Sequence, residues 1–167
     1  MSKHAHALAR AHKHHPRAQP DYVTLFVGLH MRDATAISAR SGIPAEVILA
    51  QSALESNWGR TVKGNAYFGI KGKSPTGNST KFSTHEVKSN GARISEVDEF
   101  RAYSDYAEAA EDYASLIQRR YSAALAHRNN PAKFAESVAK QHYATDPHYA
   151  TKLKSNIHSH ITPLLNK

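Results

Sequence analysis

Residues 42–59 read GIPAEVILAQSALESNWG, a stretch that carries both a start and a stop signal for a helix. Pro44 suits the first turn of a helix, where its missing N–H is not needed, and Gly59 suits the end of one. Between them an apolar side recurs at helical spacing, at Val47, Leu54 and Trp58. The pattern predicts a helix from Ala45 to about Trp58 that buries one face.

Helices are also predicted on both sides of this stretch. Upstream, apolar residues recur at helical spacing from Asp21 to Ser41. Downstream, a helix is predicted after Ser104 or Asp105, because either residue can cap its first turn. Asn130-Pro131 and Asp146-Pro147 are typical starts of two more helices.

One segment between the helices has a different character. Residues 59–80 are rich in Gly, Asn, Ser and Lys, which is typical of a loop, and residues 81–103 tend to alternate. The pair Asn90-Gly91 in the middle favours a hairpin turn. The expected fold class is therefore α+β, mostly helical with a small β-hairpin lobe, over residues 21–167.

Composition excludes several classes of protein. The 167 residues suit one domain, and no run approaches the ~20 apolar residues of a membrane helix. The chain has no cysteine, which excludes a disulfide scaffold, a cysteine-ligated zinc site and a thiol nucleophile. The net charge of +8 favours a polyanionic partner, so nucleic acid, anionic lipid and the acidic bacterial wall all stay open.

Residues 1–20 carry half of this net charge. Their basic residues are Lys3, Arg10, Lys13 and Arg17, and their histidines are His4, His6, His12, His14 and His15. The segment has no acid and no apolar run, so we expect a basic, His-rich flexible tail rather than a secretory signal. Clustered histidines bind transition metals weakly, but such clusters are commonly incidental and no metal site is predicted.

The candidate general acid is Glu55. It lies one helical turn after Gln51, on the shoulder of the apolar face and in the last turn before Gly59. The carboxyl-terminal end of a helix disfavours a negative charge, and so does burial against Ile48 and Trp58. Both effects predict a raised pKa, which protonation of a glycosidic oxygen requires. The alternative is an exposed glutamate at a helix end.

The candidate second carboxylate is Glu86, on the predicted hairpin. A strand carboxylate that faces a helix carboxylate across a cleft is the arrangement used in glycoside hydrolysis. Because strand residues alternate, Glu86 faces open space if Val87 packs inward. Glu96, Asp98 and Glu99 on the second strand compete for the role, and spacing alone leaves the choice open.

Tyr143 lies in a break between two predicted helices, in the stretch QHYATDP at 141–147. A loop tyrosine on a helical frame can line a groove and offer its hydroxyl, and packing is the alternative. The sequence holds no nucleophile elbow, phosphate-binding glycine loop or His-Glu-x-x-His zinc motif.

Four motifs in series resemble one family, the bacterial peptidoglycan glucosaminidases of glycoside hydrolase family 73. The stretch ILAQSALESNWG at 48–59 resembles their catalytic-helix motif, and YFGIKG at 67–72 resembles the loop that follows. FRAYS at 100–104 resembles the segment that leaves the β-lobe, and YATDPHYA at 143–150 resembles the late motif. The similarity spans about residues 24–160, in the right order.

The resemblance implies a lysozyme-like fold and hydrolysis of the β-1,4 bond between N-acetylglucosamine and N-acetylmuramic acid. It implies Glu55 as general acid, Glu86 as second carboxylate and Tyr143 as the tyrosine that steadies the reacting sugar. The groove-lining and substrate-binding positions that it implies are Tyr67, Phe68, Asn65 and Lys71, with Trp58 packed beneath. Many members have asparagine where this chain has Ala66. No cofactor is expected, because carboxylates and a tyrosine suffice for this reaction.

Other functions compete with this hypothesis. They are a muramidase or lytic transglycosylase on the same fold, a non-catalytic wall-binding module, and a nucleic-acid binder driven by the basic tail. The motif series favours peptidoglycan strands as partner of a monomer, without nucleic acid or membrane insertion. A secretion or phage apparatus is a candidate partner of the tail, and the expected site of action is the periplasm or the cell wall.

Overall fold

A computed structural model describes residues 18–87 and 89–167, and the side chains of residues 84–87 lie outside that description. In chain order the elements are α1 (Asp21–Ser41), α2 (Ala45–Ser56), β1 (Ser79–Val87), β2 (Arg93–Arg101), α3 (Tyr106–Arg120), a 3₁₀ helix (Ser122–His127), α4 (Pro131–Lys140), α5 (Tyr149–Asn156), a π-helical turn (Ile157–Ile161) and α6 (Thr162–Leu165). The predicted fold class is confirmed: a mostly helical chain with one small antiparallel sheet between α2 and α3. Most of the predicted tail lies outside the described residues.

Helix α2 is the centre of the core. Residues 47–53 are all buried, because α1, α4, α5 and the π-helical turn pack around the helix. The prediction of a single apolar face was therefore too narrow, and Leu54 and Trp58 are only partly buried. Full burial also encloses two polar side chains, Gln51 and Ser52, which must find hydrogen-bond partners inside the protein.

The carboxyl-terminal end of α2 comes two residues earlier than predicted. Asn57, Trp58 and Gly59 all have positive φ angles, of 51°, 59° and 77°, and a left-handed backbone cannot continue the helix. The hydroxyl of Ser56 accepts a 2.9 Å hydrogen bond from the Gly59 N–H and fixes this turn. The turn leaves Glu55 in the last helical turn, at the edge of the core.

The later helices begin with the caps that the sequence indicates. Asp105, rather than Ser104, is the N-cap of α3, and its carboxylate accepts a 2.8 Å bond from the Glu108 N–H. Asn130 caps α4 in the same way. Helix α5 begins at Tyr149, two residues after the predicted Pro147, because residues 146–148 form a turn first.

The hairpin forms one wall of a groove. Strands β1 and β2 pair antiparallel from Ser79 opposite Arg101 to Val87 opposite Arg93. The loop before the hairpin pairs with the edge of β2 that does not face β1. The Gly72 N–H donates to the Glu99 carbonyl at 2.9 Å, and the Arg101 N–H donates to the Ile70 carbonyl at 2.8 Å. These bonds hold residues 69–72 between the hairpin and the helical body.

A cluster of rings behind this loop joins α1 to α3. His30 stacks on Tyr106 with ring centroids 4.0 Å apart, and the edges of Phe26 and Tyr67 complete the cluster at 4.7 and 5.0 Å. His30 is 9 % exposed, and burial lowers its pKa from 6.5 to about 4 against the opposing influence of Asp33. The imidazole is therefore neutral near pH 7 and behaves as an aromatic core residue.

His30 makes stability depend on pH. The unfolded chain takes up a proton at this histidine near pH 6.5 and the folded chain only near pH 4, so acid favours the unfolded state. We expect the free energy of unfolding to fall by about 3 kcal/mol between pH 7 and pH 4 through this residue. Urea unfolding of the wild type and His30→Phe over that range measures the difference, since all other titrating groups are common to both. Parallel pH profiles for the two proteins would contradict the expectation.

The amino-terminal end of the described chain packs on its carboxyl-terminal end. Gln19, two residues before α1, donates a 2.9 Å hydrogen bond to the Ser159 carbonyl and pairs with His160 at 2.5 Å. His160 in turn touches the edge of Trp58, which also packs against Phe26. Within the described residues, no helix has the length and apolar character needed to cross a membrane.

Candidate active site

Glu55 lies at the end of α2 and opens into a cavity of about 240 Å³ between the helical body and the hairpin. The cavity is lined by Glu55, Ser56, Thr61, Val62, Ala66, Gly69, Phe82, Ser83 and Phe100. Its walls are therefore largely apolar, with one carboxylate at the border of the two lobes. This is the chemical character of a sugar-binding groove that carries an acid.

The environment of Glu55 favours its protonated form. The side chain is exposed to the cavity, but protein surrounds it on the other sides, and this burial raises its pKa from 4.5 to about 7. A hydrogen bond from Tyr149 acts in the opposite direction. A carboxyl group with a pKa near 7 holds its proton in a large fraction of molecules at neutral pH, as a general acid must.

Gly69 makes the closest approach to the Glu55 carboxylate. Its φ angle is +63°, and a Cβ built on it would lie 2.6 Å from Oε2 of Glu55. No side chain fits there, so the backbone of the loop can approach the acid directly. The hydrogen bonds that tie residues 70–72 to β2 thus also position one wall around Glu55.

Three buried side chains connect Glu55 to the core. The Tyr113 hydroxyl donates to Oε1 of Gln51, and Nε2 of Gln51 donates to the Tyr149 hydroxyl at 3.1 Å. Tyr149 then hydrogen-bonds the Glu55 carboxylate. Gln51 is completely buried and Tyr149 is 3 % exposed, so this chain of hydrogen bonds is shielded from water. Each group in the chain donates its hydrogen bond toward Glu55.

Removal of the Tyr149 hydroxyl is expected to raise the pKa of Glu55 further. A hydrogen bond from Tyr149 stabilises the carboxylate, and a bond to a charged group contributes ~1.5–3 kcal/mol. For Tyr149→Phe we expect the alkaline limb of the pH–rate profile to move up by about one pH unit, with a stability loss of ~1–2 kcal/mol because Gln51 loses its acceptor. Steady-state rates on a glycan substrate from pH 5 to 9 measure the limb.

Tyr106→Phe is the matched control for this change. Its hydroxyl is equally buried, but its partner is Ser52 at 2.9 Å and not Glu55. We expect a stability loss without movement of the alkaline limb. An unmoved or lowered limb in Tyr149→Phe would show that this tyrosine does not act on the acid.

Tyr143 borders the site from the opposite side. Its hydroxyl donates a 2.9 Å hydrogen bond to the Phe68 carbonyl, and its ring stacks on Tyr149 at 5.9 Å. Burial, followed by interactions with the neighbouring Tyr149, Tyr113 and Glu55, raises its pKa well above the usual value of a phenol. Tyr143 therefore stays protonated and fixes the loop that carries Gly69.

The register of the hairpin decides which acids face the cavity. Residues opposite each other in an antiparallel pair lie on the same face, so Phe82 shares a face with Asp98, and Phe100 lies on that face too. Both phenylalanines line the Glu55 cavity. Positions 86 and 96 follow on this face at intervals of two residues, whereas Glu99 lies on the other face.

This register shows on which hairpin face each candidate for the second carboxylate lies. Position 86 is compatible with the predicted role, although the Glu86 side chain lies outside the described part of the chain. Glu96 and Asp98 remain alternatives, and Asp98 lies 3.6 Å from Lys71. Glu99 stays a candidate as well: it lies on the other hairpin face, but so does Ser83, which lines the cavity.

The predicted substrate-binding residues have different environments. Phe68 is 1 % exposed and stacks on Tyr113, so the expectation that its ring lines the groove is wrong. Tyr67 is half-buried in the ring cluster of His30 and does not line the Glu55 cavity. The Asn65 amide donates to the Tyr103 carbonyl at 3.0 Å, and Lys71 is exposed at the groove edge.

The sequence patterns did not identify the residues that hydrogen-bond or lie against Glu55 on its protein side. Gln51 is four residues before Glu55, so helical spacing placed it on the same side, but its full burial could not be seen without the surrounding helices. Tyr149 lies within the late YATDPHYA motif, where only Tyr143 was singled out. Gly69 lies within YFGIKG, and a glycine beside aromatic residues was the available signal of a close backbone approach.

Comparison with known proteins gives the family. The model of a family described as mannosyl-glycoprotein endo-beta-N-acetylglucosaminidase, the glucosaminidase family, matches residues 31–162. The peptidoglycan hydrolase FlgJ of Escherichia coli strain K12 is 38 % identical over 130 residues, which cover 72 % of this chain and 41 % of that protein. FlgJ of Pseudomonas aeruginosa is 33 % identical over 138 residues, 77 % of this chain and 34 % of that protein. The chain thus spans less than half the length of these curated relatives.

Solved structures agree with this result. The catalytic domain of the autolysin Auto from Listeria monocytogenes has a TM-score of 0.74 at 25 % identity, covering 99 % of this chain and 97 % of that chain. A C-terminally truncated glycoside hydrolase domain of Salmonella typhimurium FlgJ has a TM-score of 0.66 at 36 % identity, covering 81 % and 95 %. The family model matches residues 31–162, which are most of this chain and include Glu55. The chain therefore belongs to the glucosaminidase family, glycoside hydrolase family 73, and is a glycoside hydrolase with a lysozyme-like fold.

Proposed function

We propose that the protein hydrolyses peptidoglycan at the β-1,4 bond between N-acetylglucosamine and N-acetylmuramic acid, with Glu55 as general acid. The observation that carries this proposal is a carboxyl group with a pKa near 7 in an otherwise largely apolar interlobe cavity. Membership of the glucosaminidase family and the names of the FlgJ relatives support the choice of substrate.

In the proposed reaction, Glu55 gives its proton to the glycosidic oxygen as the bond to the sugar breaks. The hydrogen bond from Tyr149 helps to hold the acid in one orientation as its charge develops. The bond from Tyr149 also stabilises the carboxylate left after proton transfer. An oxocarbenium-like transition state forms on the sugar ring during this step.

The second step requires a base or an internal nucleophile. We assign the second carboxylate to Glu86, because its position lies on the hairpin face that carries Phe82 and Phe100. There it would activate a water molecule on the far side of the sugar ring. In the alternative route the carbonyl oxygen of the sugar's own acetamido group bonds to C1 as the glycosidic bond breaks, and water then opens the resulting oxazolinium ion at C1 and loses a proton to solvent.

Other residues are proposed to bind the glycan around the reacting bond. We assign contacts with sugars beside the cleaved bond to Lys71 at the groove edge and to the loop that Tyr143 fixes, and both line the adjoining cavity. Asn65 and Tyr67 contribute by holding the loop at Ala66 against the hairpin exit and the ring cluster. A net charge of +8 would keep the protein near the anionic wall, so we propose that it acts in the periplasm or at the cell wall.

Mass spectrometry of fragments released from purified peptidoglycan tests the proposal. Fragments with N-acetylglucosamine at the reducing end are the expected products. Muramic acid at the reducing end would instead identify a muramidase, and anhydromuramic ends would identify a lytic transglycosylase. Binding to the wall without any release of reducing sugar would identify a non-catalytic module.

A further inference from the structure

A second cavity of about 240 Å³ adjoins the Glu55 cavity, and the two share Gly69. The second cavity lies between the hairpin exit and the end of α3. It contains three basic residues, Lys71, Arg101 and Arg120, and two tyrosines, Tyr121 and Tyr143. The two cavities meet at Gly69, and their linings differ: largely apolar around Glu55 and cationic on the other side of Gly69.

Two of the three cations in this cavity already face a carboxylate. Nζ of Lys71 lies 3.6 Å from Asp98, and Nη1 of Arg101 lies 3.0 Å from Asp112, whose side chain is 4 % exposed. Asp112 also accepts a 2.5 Å bond from Tyr103, and Nε of Arg101 has no acceptor among the described residues. These two cations are therefore largely balanced within the protein.

Arg120 differs from the other two cations. Among the described residues, no carboxylate lies within 4 Å of its guanidinium, and the side chain is exposed. Burial raises the pKa of Tyr143 in this cavity well above the usual value of a phenol. The excess positive charge of this part of the groove thus belongs to Arg120, at the last position of α3.

We propose that this cavity binds a carboxylate of the glycan substrate and that Arg120 is the residue that recognises it; the inference rests on the proposed peptidoglycan substrate. A guanidinium binds carboxylates through paired, charge-assisted hydrogen bonds, whereas a neutral sugar offers it no such partner. Peptidoglycan has two sources of this group next to the glycan chain. They are the lactyl carboxylate of muramic acid, where no peptide is attached, and the carboxylates of the stem peptide.

Arg119 provides a matched control for Arg120. Both residues lie in the last turn of α3, where a cation also interacts favourably with the helix dipole. Nε of Arg119 donates to the Ser115 carbonyl at 3.3 Å, and Arg119 does not line the cavity. Replacing either arginine with glutamine removes one positive charge from the last turn of this helix. The two variants therefore differ in whether the cavity loses its arginine.

The test compares Arg120→Gln and Arg119→Gln on three preparations of sacculi: intact, stripped of stem peptides by an amidase, and chemically amidated so that all carboxylates are neutral. We expect kcat/KM of Arg120→Gln to fall about tenfold on intact sacculi, and that of Arg119→Gln to stay near the wild type. The kcat/KM of the wild type should fall by about the same factor on amidated sacculi. On that preparation Arg120→Gln and the wild type should have equal kcat/KM. Amidase treatment frees the lactyl carboxylates, so a loss that grows on stripped glycan identifies the lactyl carboxylate, and one that disappears identifies the stem peptide.

An equal loss in both variants, or an Arg120→Gln loss that is undiminished on amidated sacculi, would overturn the inference. Hydrolysis of intact sacculi by the wild type separately tests the proposed function. Sedimentation of each protein with the same three preparations measures binding without hydrolysis, so the carboxylate site is tested even where no bond is cut.

Discussion

Glu55→Gln is expected to lose at least about 10³-fold in kcat on peptidoglycan. Glutamine has nearly the same shape but no transferable proton, and general acid catalysis contributes ~10²–10⁴-fold. The loss should fall on kcat rather than KM, because the neutral side chain still fills its place beside Gly69 and still accepts from Tyr149. Initial rates of reducing-sugar release from sacculi measure it.

Stability provides the control for this variant. The folded protein raises the pKa of Glu55 to about 7, so the ionised side chain disfavours the folded state above that pH. A neutral glutamine removes this penalty, and the melting temperature at pH 8 should be unchanged or higher. Activity within tenfold of the wild type would remove Glu55 from the role of acid.

The same assay series ranks the second carboxylate. Glu86→Gln should lose activity severely but less than Glu55→Gln, because the acetamido group can assist when the base is absent. Glu96→Gln is the comparison, since position 96 lies on the same hairpin face but on the neighbouring strand β2. If Glu86→Gln is normal and Glu96→Gln or Asp98→Asn is not, the role moves to the corresponding residue.

The helical frame could be predicted because its signals are local. Pro44, Asp105 and Asn130 act at helix starts through their own backbone or side chain, and the structure has helices where they indicate them. The errors concern the exact residues at which helices begin or end. Asn57 adopts a left-handed conformation that its identity permits but does not require, which is why α2 ended earlier than predicted.

The acid of the candidate site could also be predicted, but its surroundings could not. Helix spacing and the motif indicated Glu55, and the rise of its pKa was expected from burial against Ile48 and Trp58. The residues that touch the carboxylate are instead Gly69 and Tyr149, which come from a distant loop and a distant helix. Contacts of this kind depend on tertiary packing, which no local pattern in the sequence contains.

The ring of Phe68 illustrates the same limit. The family resemblance implied that Phe68 lines a sugar-binding groove, yet Phe68 faces the core and stacks on Tyr113 with ring centroids 4.3 Å apart. The residue contributes to the site through its carbonyl, which accepts from Tyr143. A motif identifies which residues belong to a site, whereas the direction of each side chain is set by the backbone of the loop.

Gly69→Ala is expected to reduce kcat by about 100-fold or more while the protein stays folded. The added Cβ would lie 2.6 Å from Oε2 of Glu55, and the flexible end of the glutamate must move away. A displacement of ~1 Å at a reacting group costs ~10²-fold in rate. The stability cost is that of a left-handed alanine, ~1 kcal/mol, because the clash involves a movable side chain and not the backbone.

Gly77→Ala separates the two effects. Gly77 also has a positive φ angle, of +86°, but a Cβ there meets nothing within 4 Å. It should therefore show the same conformational cost in thermal unfolding and keep a kcat near that of the wild type. If Gly69→Ala and Gly77→Ala lose similar activity, the strain of the loop and not displacement of the acid is responsible. If Gly69→Ala alone is inactive at an equal melting temperature, the bare backbone at position 69 is needed to hold the Glu55 carboxylate where it can transfer its proton.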